Sequence, residues 1–187
     1  MQQHGLDPMP LPVINAEFEV KPVLITYRAQ LKLYDGTMTG LVNVARSGDQ
    51  LVHYFANMLR VRVELKFTDM EFLMRYLVNV MNIGPEGRVN ASLSSMVVAV
   101  DVVIDFNNDE IHLQQFDLRD IGRLRVRLSG NFLYDWLLNP LLSVFTSIFD
   151  NTIIGIVQQN IRVALYGGIA AINEAIKDVL NGLEAQN

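Results

Sequence analysis

Cysteine is absent from the 187 residues, which excludes a disulfide framework, a thiolate zinc site, an iron–sulfur cluster and a cysteine nucleophile. Charge is scarce as well. Asp, Glu, Lys and Arg make up 19% of the chain, against roughly 25% in an average soluble protein, and 20 acidic side chains outnumber 15 basic ones for a net charge of −5. A general nucleic-acid binder neutralises phosphates with an excess of Lys and Arg; that class is excluded here, and any anion site has to be a local patch. The histidines His4, His53 and His112 have no metal-ligand spacing, and no metal site is predicted. No Ser stands in a Gly-x-Ser-x-Gly elbow, and Ser47-Gly48-Asp49 reads as a turn. These absences point away from an enzyme and predict no cofactor. Long uncharged runs are missing too: Asp135 and Asp150 bound 14 residues and the next run, Asn151 to Ile161, has 11, whereas a spanning helix needs about 20. No transmembrane segment is predicted. Met1-Gln2-Gln3-His4-Gly5 has neither a basic nor an apolar signal region, so no signal peptide is expected in these residues.

Apolar material, by contrast, is plentiful. Half of the residues are hydrophobic and the mean hydropathy is +0.22, so a disordered chain is ruled out and one compact domain over 1–187 is expected. From residue 24 to about 128 the hydrophobic period is two. Leu59, Val61, Val63, Leu65 and Phe67 alternate with Arg60, Arg62, Glu64 and Lys66, the pattern of a strand with one oily and one wet face. Tyr27, Ala29, Leu31 and Leu33 repeat it, as do Leu124, Val126 and Leu128 against Arg123, Arg125 and Arg127. Segments 70–81 and 89–104 carry apolar residues on both parities. Turn signals at Asp35-Gly36, Ser47-Gly48-Asp49, Gly84-Pro85-Glu86-Gly87 and Asn107-Asn108-Asp109 separate the runs. The expectation is an antiparallel meander over 24–130, preceded by an extended segment over 1–23.

After Gly130 the period becomes helical and predicts a long helix over 131–183. Asn139-Pro140 reads as an N-cap followed by Pro at the first helical position, and Asn181-Gly182 as the stop. The span between them measures about 65 Å at 1.5 Å per residue, longer than the roughly 41 Å diameter of a sphere of this chain length. Ten of the 17 residues from Leu141 to Val157 are Leu, Val, Ile or Phe, too many for a helix with one buried stripe. The expected fold class is therefore α+β: a strongly curved antiparallel sheet, a half-barrel, wrapped around a long C-terminal helix. Such an arrangement has a concave apolar interior, the usual character of a ligand site. Candidate lining residues are Val61, Val63, Leu65, Phe72, Met74, Tyr76, Val97, Ala99, Phe116 and Leu118 from strands and Trp136, Leu141, Phe145 and Phe149 from the helix. The plain alternative for each is ordinary core.

Three smaller constellations remain. Asn90-Ala91-Ser92 is a glycosylation acceptor triplet. Asp105-Phe106-Asn107-Asn108-Asp109 fits the start of a calcium loop, but Glu110 stands where Gly is needed and Phe116 where Glu is needed, so a hairpin turn is the better reading. Arg123, Arg125 and Arg127 share one strand face, as do Arg60, Arg62 and Lys66. They read either as a solvated outer face or as a basic patch for anionic lipid head groups, with peripheral contact to an anionic membrane.

Several runs carry a family resemblance. Leu6-Asp7-Pro8-Met9-Pro10-Leu11-Pro12, Arg46-Ser47-Gly48-Asp49, Ile83-Gly84-Pro85, Phe116-Asp117-Leu118 and Leu141 to Phe149 are similar to the group-seven mite allergens and their insect homologues. These are relatives of the juvenile-hormone-binding and takeout proteins in the tubular lipid-binding superfamily. The resemblance implies a secreted carrier of a hydrophobic small molecule or lipid, without catalysis. Its alternative is a surface-recognition protein docking on anionic lipid, lipopolysaccharide or a protein partner. The mite proteins place a helix before the Asp-Pro-Met segment, where six residues precede Asp7 here. The hormone-binding branch carries a disulfide near its N-terminus, which a chain without Cys lacks, and this points away from a juvenile-hormone ligand.

Overall fold

The structure, a computed structural model, describes residues 7–21, 24–80, 84–130 and 135–184. Leu6 and Ile83 of the family-like runs and the first four residues of the expected helix, 131–134, lie outside the described residues. The elements are β1 (Met9–Leu11), β2 (Ile14–Val20), β3 (Tyr27–Thr39), β4 (Val44–Phe55), β5 (Met58–Val80), β6 (Glu86–Asp105), β7 (Glu110–Ile121) and β8 (Leu124–Gly130). A helix follows, made of α1 (Asp135–Ile148), a π-helical turn (Phe149–Ile153) and α2 (Ile154–Glu184). An eight-stranded antiparallel sheet with a long C-terminal helix is the α+β class expected from the periodicity.

The strand order departs from a simple meander. β5 has 23 residues, about 75 Å of chain at 3.3 Å per residue, longer than any strand that pairs with it. Two strands therefore share one of its edges end to end: β4 along Met58–Phe67 and β3 along Glu71–Val80. β6 is shared in the same way, by β8 along Gly87–Leu93 and β7 along Met96–Asp105. Each long strand also reverses its buried parity where the partner changes. On β5 the apolar side chains are odd-numbered from Leu59 to Phe67, of which Phe67 is buried, and the buried ones are even-numbered from Met70; Asp69 between them has φ 53°, a local irregularity of the kind that re-aims side chains. On β6, Val89, Ala91 and Leu93 give way to Met96, Val98 and Val100.

Several local expectations change. The segment before residue 24 supplies β1 and β2, both paired with β3. Asp35-Gly36 and Ser47-Gly48-Asp49 are bulges inside β3 and β4, where the register shifts; residues that tolerate positive φ serve bulges as well as turns. The β4–β5 hairpin instead turns at Ala56-Asn57, with φ 49° and 59°, the positive pair of a type I′ turn. Pro140 lies inside α1, which has begun by Asp135, because buried Leu137 and Leu141 hold that turn to the core. α2 runs through Asn181-Gly182 to Glu184. From Trp136 to Val179 the helix is long and apolar enough, by length and composition, to cross a membrane, where the charge count predicted no such segment. The two criteria differ in whether isolated charges such as Asp150 and Arg162 interrupt a span.

Two compact units divide the chain. The first comprises Met1–Asn43, Thr68–Ser94 and Gly122–Val157. In it α1 packs on both β2 and β8, the strands at the two margins of this unit's sheet. Phe145 and Phe149 are fully buried, and Phe149 meets Phe72 edge-on at 4.9 Å between ring centroids. Each such side chain contributes about 1.5–3 kcal/mol by leaving water. Asp7, also buried, accepts the backbone N–H groups of Gly40 (3.1 Å) and Val42 (2.8 Å) and so pins the N-terminal segment to the turn after β3. Gly40 has φ 101°, and a Cβ there would stand 2.6 Å from the carbonyl oxygen of Asp69. Only glycine fits.

The second unit comprises Val44–Phe67, Ser95–Ile121 and Gln158–Asn187. Here α2 is fastened to β7 by polar side chains. Asn173 receives the backbone N–H of Ile111 (2.8 Å) and donates to its carbonyl (2.9 Å). Arg162 donates to the carbonyl of Phe116 (3.1 Å) and lies 5.4 Å from that ring's centroid, and Lys177 pairs with Glu110 at 2.7 Å. The hairpin tips are tied as well: Asn107 donates to the carbonyl of Ala56 and Asn57 to the side-chain oxygen of Asn107. Asp105 accepts from Asn107 and Asn108, which makes the calcium-like run a hairpin turn.

Candidate functional site: an apolar strand face and an arginine groove

In the second unit, strand alternation and register define one apolar face. Phe116 turns its ring to Arg162 of α2, and its register partner is Val100. Val98 pairs with Leu118, Val102 with Leu113 and Ile104 with Ile111, so these side chains share the face toward α2. On β5 the same face takes the odd-numbered Leu59, Val61, Val63, Leu65 and Phe67, and Val61 pairs with Val52 of β4. Phe67, Val98, Val100 and Phe116 are buried and form a floor. Val61, Val63, Leu65, Ile104, Ile111, Leu113 and Leu118 are only half-buried, and Val52, Tyr54 and Phe106 at the hairpin tips are exposed. These side chains leave nonpolar surface uncovered on one face of the sheet, the character usual for ligand sites.

The opposite face of these strands carries the charge. Asp101, 1% exposed, receives three bonds of 2.6 to 3.1 Å from the Arg60 guanidinium. Hydrogen bonding from Arg60, with its positive charge and that of Arg62, holds the Asp101 carboxyl below the usual carboxylate range; Asp101 in return raises Arg60. Val97 and Ala99 alternate with Val98 and Val100 and therefore lie on this charged face, with Asp101, away from the face that meets α2. A twofold period cannot reveal this from sequence when four consecutive residues, Val97 to Val100, are all apolar.

The first unit gathers the remaining lining candidates into a filled core. Phe72, Met74, Tyr76, Leu141, Phe145 and Phe149 are each 2% exposed or less, while Trp136 is half-buried. Burial raises the Tyr76 hydroxyl pKa above its ordinary value. The large side chains interdigitate here as in any close-packed interior.

The arginines of β8 occupy the outer face of this same unit. Arg127 is the register partner of Asn90 and Arg125 of Ser92. With Glu71 and Leu73 of β5 they line an open groove of about 320 Å³. Arg123 continues the row, next to Asp69, Glu71 and Ser94, and its backbone N–H bonds the Ser94 hydroxyl at 2.9 Å. The glycosylation candidate Asn90 is exposed and forms part of the groove floor. Val52, Tyr54, Ile104, Phe106, Ile111 and Leu113 belong to the apolar face of the second unit without being among the sequence candidates. Sequence reading also missed Arg162, although a lone charge between Asp150 and Glu174 of the helical region was a signal for an internal polar contact.

The chain matches the family model described as Group 7 allergen over residues 1–165. Mite allergen Der f 7 of Dermatophagoides farinae is 22% identical over 156 residues, which are 81% of this chain and 72% of that protein. Lipopolysaccharide binding protein superposes with a TM-score of 0.60 at 17% identity over 89% of this chain, which spans about a third (35%) of that structure's length. Takeout 1 of Epiphyas postvittana superposes with a TM-score of 0.52 at 14% identity, covering 91% of this chain and 83% of that one. Identities this low carry the fold alone. The chain, with the fold these structures share, belongs to the group 7 allergen family.

Proposed function

We propose that the protein is a non-enzymatic carrier, secreted like the carriers it resembles, that binds a hydrophobic small molecule or lipid in its second unit. The ligand lies between α2 and the apolar strand face of Val61, Val63, Leu65, Ile104, Leu113 and Leu118. One contrast carries the reading. Those side chains keep accessible apolar surface on the face toward the helix, whereas the equivalent side chains of the first unit, such as Phe72, Phe145 and Phe149, are fully buried. A rigid, partly uncovered apolar face gains about 25 cal/mol for each Å² of apolar area that a ligand takes out of water. The polar fasteners of α2, Asn173 and Arg162, hold the helix to β7 while the aliphatic face stays available. Lipopolysaccharide binding protein, which shares the fold, is named for an amphipathic lipid ligand, and this agrees with the reading.

Denaturing extraction of the purified protein followed by mass spectrometry tests it. A co-purifying apolar molecule, displaced by a fatty-acid probe, is expected. An empty extract together with no binding of fatty-acid or polyaromatic probes contradicts the proposal.

A further inference from the structure

Among the described residues, four arginines away from β8 have an acidic or carbonyl partner: Arg60 with Asp101, Arg75 with Asp35, Arg119 with Asp117 and Arg162 with the Phe116 carbonyl. Four others are gathered on one outward surface of the first unit. Arg88 lies on β6, and Arg123, Arg125 and Arg127 lie on or immediately before β8. Among the described residues, no carboxylate comes within ion-pair distance of these four. Asp69 and Glu71 of β5 face the same groove, so the surface keeps a local positive excess in a chain whose net charge is −5.

The spacing is regular. Alternate residues of a strand are about 6.7 Å apart, which sets Arg123, Arg125 and Arg127 in a straight row of guanidiniums, each able to give paired hydrogen bonds to an oxyanion. Leu73 and Leu77 project outward on β5 at 48% and 41% exposure, and Leu73 lines the groove between Glu71 and the arginines. Guanidiniums beside exposed leucines suit a surface with negative charge at its face and hydrocarbon just behind it. A polynucleotide provides the charge without the hydrocarbon, and an acidic polypeptide provides no layer into which leucines can settle.

We propose that the outer face of β5, β6 and β8 docks on an anionic lipid bilayer, with Arg123, Arg125 and Arg127 donating hydrogen bonds to head-group oxygens. The inference stands apart from the carrier reading, because the face lies in the first unit and needs no ligand in the second.

The test is co-flotation of the full chain with vesicles of phosphatidylcholine alone and of phosphatidylcholine with 30 mol% phosphatidylserine. Protein made in a bacterial host is used, so that no glycan on Asn90 fills the groove. Binding to the anionic vesicles only, weakening steeply as salt rises, is expected. Replacing all three arginines by Ser is expected to weaken it about a hundredfold, since each basic side chain near such a surface is worth about 1 kcal/mol. Replacing them by Lys retains most of the binding, and Arg46→Ser with Lys66→Ser in the second unit leaves it unchanged. Circular dichroism confirms that each variant is folded. Equal binding to neutral vesicles overturns the proposal, as does a folded triple-Ser variant that binds like the parent, or a triple-Lys variant that loses binding as completely as the Ser one.

Discussion

Phe149→Ala should be among the most damaging single truncations in the chain, and Val63→Ala among the mild ones. Phe149 is fully buried, sits in the π-helical turn and packs edge-on against Phe72 at 4.9 Å. Removing a buried Phe side chain costs about 3–5 kcal/mol, because the neighbours collapse only partly into the space; about 0.5–1.5 kcal/mol of that belongs to the ring pair. The unfolding entropy is about 2.1 cal/mol/K per residue, or about 0.4 kcal/mol/K for a chain of 187 residues, so the expected fall in Tm is about 8–13 °C. Val63 is half-buried, and its truncation removes two methyl groups from a site already part-open, at about 1 kcal/mol or less, a fall of about 2–3 °C. Thermal melts followed by far-ultraviolet circular dichroism, on ligand-stripped protein, measure both. A fall below about 4 °C for Phe149→Ala, or equal falls for the two variants, refutes the contrast between a filled first unit and an open face in the second.

Two further outcomes follow from polar contacts. The folded-state pKa of Asp101 is held below its unfolded value by Arg60; the unfolded chain therefore binds more protons in that window, and stability rises with pH through it. The contribution is complete above about pH 5 and is lost as pH falls through the carboxylate range, so the Tm gap between the parent and Asp101→Asn should be wide at neutral pH and narrow under acid; a constant gap contradicts this. Asp7→Ala removes the acceptor of the Gly40 and Val42 amides at a cost of about 1–3 kcal/mol, and faster hydrogen exchange at those two amides is expected; unchanged protection there assigns the anchoring elsewhere.

Much of the sheet was legible because one-sided strands announce themselves. Ala29, Leu31 and Leu33 are buried and their polar neighbours exposed, as the alternation requires. Strand partners were not legible: nothing local to β5 says that β4 covers one half of an edge and β3 the other. Glycine and aspartate mark positive φ without saying whether the chain turns or merely bulges, which is why Asp35-Gly36 and Gly48 lie inside strands while the hairpin closes at Ala56-Asn57. The site divided along the same line. The oily faces holding Val63 and Phe145 could be read directly, but whether each is filled or uncovered depends on what tertiary structure sets opposite them. Val97 and Ala99 share the face of Asp101, which the sequence does not reveal because an unbroken apolar run carries no parity of its own. The Arg60–Asp101 contact joins residues 41 positions apart and leaves no local trace.

Calorimetric titration of the ligand-stripped protein with saturated fatty acids of increasing length tests the apolar site in the second unit most directly. Each CH₂ taken from water is worth about 0.8 kcal/mol, so affinity should climb about fourfold per carbon at first and level off when the tail outruns the face, with a negative heat-capacity change throughout. Val63→Trp should bring the plateau to a shorter tail, and Ser in place of Arg123, Arg125 and Arg127 should leave the slope untouched. Affinity independent of chain length, with a heat-capacity change near zero, contradicts an apolar site between the strands and α2.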